Sequence, residues 1–419
     1  MFFLSTGVYL SNIYTDFKNN MGDKMFRHLM VSADIVPNTF LPYLIVKEKT
    51  IAFDSIYKLT KRFDSTVEKP YFLIQTASGY KSVYPILTGI MALPFYFVPL
   101  VLNKIPTFIY HENILKVFIL GRITATIYTA ASVFLFYLVI DRFSSDTKLK
   151  IFFTLFYAFG TSSWSIASRG LWQHTTSQFF ISIFLLLALA SLKSPKFLSY
   201  TGLVLGLAVL VRPTNIILAL TYSIYIFTRQ RQLFVKFIAF ALPAAVFLFV
   251  YNYIVFGSFF TEGYGARNDY NWSTPLSESL PGFLVSPARS FLFISPPLLL
   301  AFYSMYKLVK TKEFAGAANV LLKHLSCAFV FTLFLYAKWY TWDGANAFGY
   351  RMLSDYVPII GLLSFLTVAN FKKLGKIVLF VLILYSFYVH ANAVFYKKSR
   401  CSKENNWNFV CLSPPTKLW

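Results

Sequence analysis

The sequence predicts an all-α, polytopic transmembrane helical bundle, with about 11 spanning helices and one interfacial or re-entrant segment. Three observations carry this. First, a bilayer core of about 30 Å asks for roughly 20 apolar residues in a helix. The runs 117–140, 234–256 and 375–396 reach that length with a lysine or arginine only near an end. Second, hydrophobic residues make up 57% of the chain and charged residues 13%, with a mean hydropathy of +0.57. A soluble domain carries roughly 25% charged residues. Third, Lys+Arg 39 against Asp+Glu 17 gives a net charge of +22, and the basic residues sit in short loops between the apolar runs. That is the pattern of a multi-pass integral membrane protein, here placed in the cell membrane, rather than of a nucleic-acid binder. Membrane lipids are therefore expected partners and nucleic acid is not.

The elements follow in order. Residues 1–15 are apolar, too short to cross comfortably, and read as the end of a first helix. Residues 16–81 form a polar, irregular first outer loop, and long loops tend to carry function. Helices are then expected near 84–102, 117–140, 150–166, 172–192, 198–212, 213–228, 234–256, 290–308, 320–339, 352–369 and 376–396. The membrane domain thus spans 1–396, followed by a tail, 397–419. Basic clusters at Arg142/Lys148/Lys150, Lys193/Lys196, Arg229/Arg231/Lys236, Lys307/Lys310/Lys312 and Lys372/Lys373/Lys376 mark the cytoplasmic loops. The loops near 163–174, 212–215, 257–289 and 340–351 then face the other side. Segment 84–102 carries Pro85, Gly89 and Pro94 and is read as dipping into the outer interface, which keeps 16–81 outside. The tail lies outside by helix count, although Lys397, Lys398, Arg400 and Lys403 favour the inside.

Cys327 lies within an apolar helix and is read as a small packing residue. Cys401 and Cys411 sit close together in the tail, where a disulfide stays open. No metal-ligand spacing is present and no cofactor is expected. A divalent-metal site built from Asp34 with Asp54 or Glu262 stays open, with no spacing that argues for it.

Acidic residues are scarce, so each can be weighed. Asp34 stands in Ser32-Ala33-Asp34-Ile35-Val36-Pro37, held near the membrane surface by Pro37 and Pro42. A carboxylate there can take the proton of an attacking hydroxyl; the competing reading is a helix cap or a solvated loop residue. Arg169 and His174 sit between two expected helices, flanked by Trp164 and Trp172. Arg212 precedes Pro213 and splits an apolar run, where a charge is costly unless it faces a cavity or a partner. Arg289 follows Ser286-Pro287-Ala288, and Arg351 closes the stretch Trp342-Asp343-Gly344 to Phe348-Gly349-Tyr350. Four arginines on one face, with few carboxylates to neutralise them, imply an anionic ligand. Phosphate or pyrophosphate on a lipid carrier fits best.

The order of these elements resembles the GT-C superfamily of polytopic glycosyltransferases. More narrowly, it is similar to bacterial and archaeal relatives of the dolichyl-phosphate-mannose protein mannosyltransferases. The resemblance covers most of the chain. It runs through Asp34 and Pro37, Tyr84-Pro85, Leu93-Pro94-Phe95-Tyr96, Gly160-Thr161, Leu171-Trp172, His174 and Arg212-Pro213. It continues through Phe256-Gly257, Gly263-Tyr264, Arg289, Ser295-Pro296, Trp342, Gly344, Phe348-Gly349, Arg351 and Pro358. The chain departs from the family pattern at Ala33, Ala345 and Tyr350. The resemblance implies an inverting sugar transfer from a polyprenyl-phosphate-linked donor to an acceptor (protein, lipid or polysaccharide) on the extracytoplasmic side. Asp34 would be the base, and Arg169, His174, Arg212, Arg289 and Arg351 would hold the donor phosphate. Two other readings stay open: a transporter or flippase of an anionic lipid-linked sugar, and a non-catalytic envelope-assembly protein.

Overall fold

In lipid, an apolar run must satisfy its own backbone, and the α-helix is the local solution. The computed structural model describes residues 1–19, 31–63, 69–106, 111–267, 271–310, 316–345, 347–395 and 406–409. It is 75% helix and 2% strand, an all-α bundle. Six of the described helical segments are long and apolar enough to cross a membrane: Glu112–Ile140, Gln173–Ser191, Arg231–Phe256, Ala317–Lys338, Arg351–Val368 and Lys373–Phe395. This identifies an integral membrane protein.

The difference from about eleven expected crossings has local causes. Leu87–Val101 is a helix of 15 residues with Pro94 and Pro99 inside it, about 22 Å long at 1.5 Å per residue and shorter than the bilayer core. Lys196–Val211 stops at Arg212-Pro213. The expected helix 290–308 is three pieces, Phe291–Ile294, Pro296–Leu299 and Leu300–Lys310, because Pro296 and Pro297 lack the N–H groups a continuous helix needs. Likewise 150–166 becomes Thr147–Phe159 and the short turn Ser162–Ser165.

Helices divide into inner and outer. In Arg351–Val368, 94% of the most apolar window is buried; in Arg231–Phe256 only 11% is, so this helix presents its surface to lipid. It is held by close backbone approach to Lys196–Val211. A Cβ on Gly202 would stand 2.1 Å from the Phe237 carbonyl oxygen, and one on Gly206 would stand 2.7 Å from the Ala244 Cβ. Two glycines four residues apart thus form the small-residue stripe by which membrane helices pack.

The first loop is structured. A 3₁₀ turn, Ala33–Ile35, leads into the helix Val36–Tyr43, followed by the helix Asp54–Phe63 and an antiparallel hairpin, Leu73–Thr76 with Gly79–Ser82. Asn38 pins the turn to the bundle by donating to the Leu171 carbonyl at 3.1 Å. At the opposite end, Lys376 meets Asp146 at 3.3 Å and Lys150 meets Asp141 at 2.5 Å, joining loops that carry the basic clusters. Cys401 and Cys411, and the tail lysines and arginine, lie outside the described residues.

Candidate active site

Asp34 does not cap its helix. Ser32 does that, accepting from the Asp34 N–H at 3.3 Å, and the carboxylate turns instead toward the hairpin and the far end of the chain. Pairing of Leu73 with Ser82 carries Tyr71 and Tyr84 to opposed positions two residues beyond each strand. Both phenols donate to Asp34 Oδ1, Tyr71 at 2.6 Å and Tyr84 at 2.8 Å. Arg351 Nη1 donates to Oδ2. The Asp34 side chain keeps 20% of its exposure, enough to face a ligand. Burial alone would raise its pKa. The Arg351 charge and the hydrogen bonds from Tyr71, Arg351 and Tyr84 outweigh that and hold the carboxyl below the usual carboxylate value. Burial, and then the nearby Asp34 charge, push the Tyr71 phenol up, so it stays a donor.

Asp34 lines a cavity of about 730 Å³. His174, Arg212 and Arg351 line it too, so four of the six residues singled out in the sequence are brought together. Its walls come from the first loop and from the loops near 163–174, 212–215, 257–289 and 340–351, all assigned to one face by the charge pattern. Arg351 lies over the Trp172 ring, 5.0 Å from its centroid, and Arg212 lies 5.0 Å from that of Tyr336. Such placements orient a guanidinium without consuming its donors.

Behind the wall stands Asp355, fully buried. Arg212 Nη1 donates to Asp355 Oδ2, and His174 Nδ1 lies 3.0 Å from Asp355 Oδ1 and 2.6 Å from Arg212 Nη1. One carboxylate therefore positions two cavity residues. This corrects the expectation of arginines with few carboxylates to neutralise them: Arg351 is matched by Asp34 and Arg212 by Asp355.

Two expected phosphate ligands are elsewhere. Arg289 is fully buried and does not line the cavity. It donates from Nε to Asn406 Oδ1 at 2.8 Å, from Nη2 to the Ala345 carbonyl at 2.6 Å, and from Nη1 to the Ala347 carbonyl. Its fork is spent on holding the turn before Arg351. That turn needs the hold, because Ala345 has positive φ, a conformation that only glycine adopts freely. Arg169 ends the 3₁₀ turn Ala167–Arg169, packs into the bundle at 2% exposure, and is also absent from the cavity wall.

The sequence reading missed Tyr71, Asp355 and Arg267. Arg267 lines the cavity and donates to the Tyr71 carbonyl at 2.8 Å, docking the loop near 262–267 on the hairpin. Asp355 had a signal, being a carboxylate inside an apolar segment. Of the residues considered for a metal, Asp54 accepts from the Tyr80 N–H at 3.2 Å and is not in the cavity, whereas Glu262 is. No group of three or more His, Cys, Asp or Glu side chains with metal-site geometry occurs among the described residues.

Glu262 also lines a narrow apolar crevice with Leu210, Phe247, Leu248, Tyr251 and Phe256. The crevice and the cavity share Tyr84 and Glu262. Burial raises the Glu262 carboxyl to about 6. No protein-family model matches the chain, and a search of curated proteins returns no match.

Proposed function

We propose that this chain is a membrane glycosyltransferase. It takes a sugar from a polyprenyl-phosphate donor and passes it, with inversion, to an acceptor hydroxyl on the extracytoplasmic side of the cell membrane. One observation carries the reading: a carboxylate with residual exposure and three cationic or ionisable nitrogen groups, Arg351, Arg212 and His174, face one cavity that adjoins an apolar crevice. A lipid-linked phosphate is an anion with an apolar chain: the head group suits the cavity, and the chain would have to open the crevice, which has about 20 Å³ free, or run along the lipid-facing surface beside it.

In this reading the acceptor oxygen attacks the anomeric carbon while the bond from that carbon to the phosphate oxygen breaks. The electron pair leaves with the phosphate, and the acceptor proton passes to Asp34. Arg351, Arg212 and His174 stabilise the charge that develops on the leaving group, an effect of about 3 kcal/mol for a single well-placed donor. Resting Asp34 is a weak base while Arg351 sits on it. A donor phosphate that draws the guanidinium away removes the interaction holding the carboxyl pKa down, so donor binding strengthens the base. The reading brings with it a GT-C-like architecture, in which three shorter apolar helices, Phe2–Ser11, Leu87–Val101 and Lys196–Val211, add partial crossings to the six long ones among the described residues.

The test is mass spectrometry of lipid-linked sugars in cells whose copy of the protein carries Asp34→Asn. Accumulation of one polyprenyl-phosphate sugar, with the purified variant still binding it, is the expected result. An unchanged lipid-linked profile would remove the transferase reading and favour a carrier.

A further inference from the structure

The transfer step leaves one part of the cavity rim unused. Residues 271–274 run beside the end of the helix Ala317–Lys338. The Tyr340 N–H donates to the Asn271 carbonyl and the Thr274 N–H to the Lys338 carbonyl, each at 3.1 Å, while Thr274 Oγ1 donates to the Trp339 carbonyl at 2.8 Å. This short ladder sets the Trp272 and Trp339 rings 4.5 Å apart at 57°, with Tyr340 at 4.9 Å and Tyr264 at 6.4 Å from Trp339. All four rings line the cavity. Trp272 remains 43% exposed, so its ring is open to a ligand in the cavity.

Glu262 faces the same space. Among the described residues its carboxylate takes no hydrogen bond or ion pair, and burial is the one influence acting on its charge. A half-buried carboxylate without donors is costly until something supplies them. Hydroxyl groups of a ligand can do so, and the exposed Trp272 ring on the same cavity suits the C–H face of a sugar ring. An acyl chain would leave the carboxylate unsatisfied. A polyanion would be repelled by it.

The geometry points to a saccharide-binding subsite on this rim, with Trp272 stacking on a sugar ring, the tilted Trp339 ring walling its edge and Glu262 accepting hydrogen bonds from its hydroxyls, so that the acceptor is itself a glycan. The acceptor role rests on the transferase reading above; the binding of saccharide does not.

The experiment uses the full-length protein in nanodiscs on an array of neutral, amino-sugar and uronic-acid oligosaccharides, with serine- and threonine-containing peptides alongside. Neutral oligosaccharides should be retained and uronic acids disfavoured. Trp272→Ala and Glu262→Gln should each weaken that retention roughly tenfold or more. Trp407→Ala, which removes an exposed tryptophan that does not line the cavity, should leave it unchanged. Thermal unfolding no lower than the parent's separates lost binding from lost fold. Retention of peptides alone, of nothing, or of glycans equally by all variants overturns the subsite. Glycan binding without sugar transfer removes the transferase reading and keeps the subsite; transfer without glycan binding does the reverse.

Discussion

Asp34 and Arg351, 317 positions apart in the chain, are joined by a charge-assisted hydrogen bond in the cavity wall. Neither is fully sequestered, with side-chain exposures of 20% and 11%. The pair is therefore open to a ligand that competes for the guanidinium. On the transferase reading proposed above, loss of the carboxylate by Asp34→Asn should lower sugar transfer by roughly 10²–10⁴-fold, the range of general-base contributions, with donor binding retained. Arg351→Ala should weaken donor binding as well. In a double-mutant cycle on stability, the two substitutions should couple by about 0.5–3 kcal/mol.

Asp355 is the anchor of the opposite wall. Its replacement by alanine leaves the buried Arg212 guanidinium without its carboxylate, and stranding a buried charge costs about 3–5 kcal/mol. Thermal unfolding in detergent should show Asp355→Ala strongly destabilised. The double variant Asp355→Asn with Arg212→Gln should recover part of the loss, because no unmatched charge remains.

Acidity separates Asp34 from Glu262. Asp34 titrates below its ordinary value in the folded chain, so its contribution to stability is present above the unfolded value and is lost as pH falls through the folded one. Its ionised form should therefore persist at pH 5. Glu262 is raised to about 6, the opposite case: the contribution is full below the unfolded value and is lost as pH rises through about 6. Glu262→Gln should match the parent near pH 4.5 and exceed it by on the order of 1 kcal/mol above pH 7. Unfolding curves at both ends of that window check the sign.

Arg289 should behave as a brace. Arg289→Ala removes three hydrogen bonds from one cation and should destabilise by on the order of 3 kcal/mol, while donor affinity falls less than in Arg351→Ala. Arg289→Lys should fail to rescue, because an ammonium cannot present the planar fork that reaches Asn406, Ala345 and Ala347 together.

Close helix packing gives a last check. Gly202→Ala would drive a methyl group against the Phe237 carbonyl, and overpacking of this kind costs about 1–3 kcal/mol. A lowered unfolding temperature is expected.

Much of the membrane body was legible because length and hydropathy act residue by residue, and 117–140, 234–256 and 376–396 correspond to long helices. The stop at Arg212-Pro213 and the weakness of 84–102 were legible, whereas the break at Pro296-Pro297 was harder, since the apolar pattern continues across it. Asp34 was legible through scarcity. Its partners were not, because Tyr71 depends on hairpin register and Arg351 on the closure of the whole bundle. Arg289 and Arg351 look alike as sequence, each an arginine beside a turn. Only three-dimensional placement separates the one facing carbonyls from the one facing a cavity. Asp355 could have been found by asking what a lone acid does within an apolar stretch.

Asn406 gives the tail leverage over the turn that delivers Arg351 to the cavity. It donates to Asp343 at 3.0 Å and receives Arg289 Nε, and Arg289 in turn grips the turn that delivers Arg351. Asn406→Ala should therefore loosen Arg351 in the cavity wall, although Asn406 itself does not line the cavity.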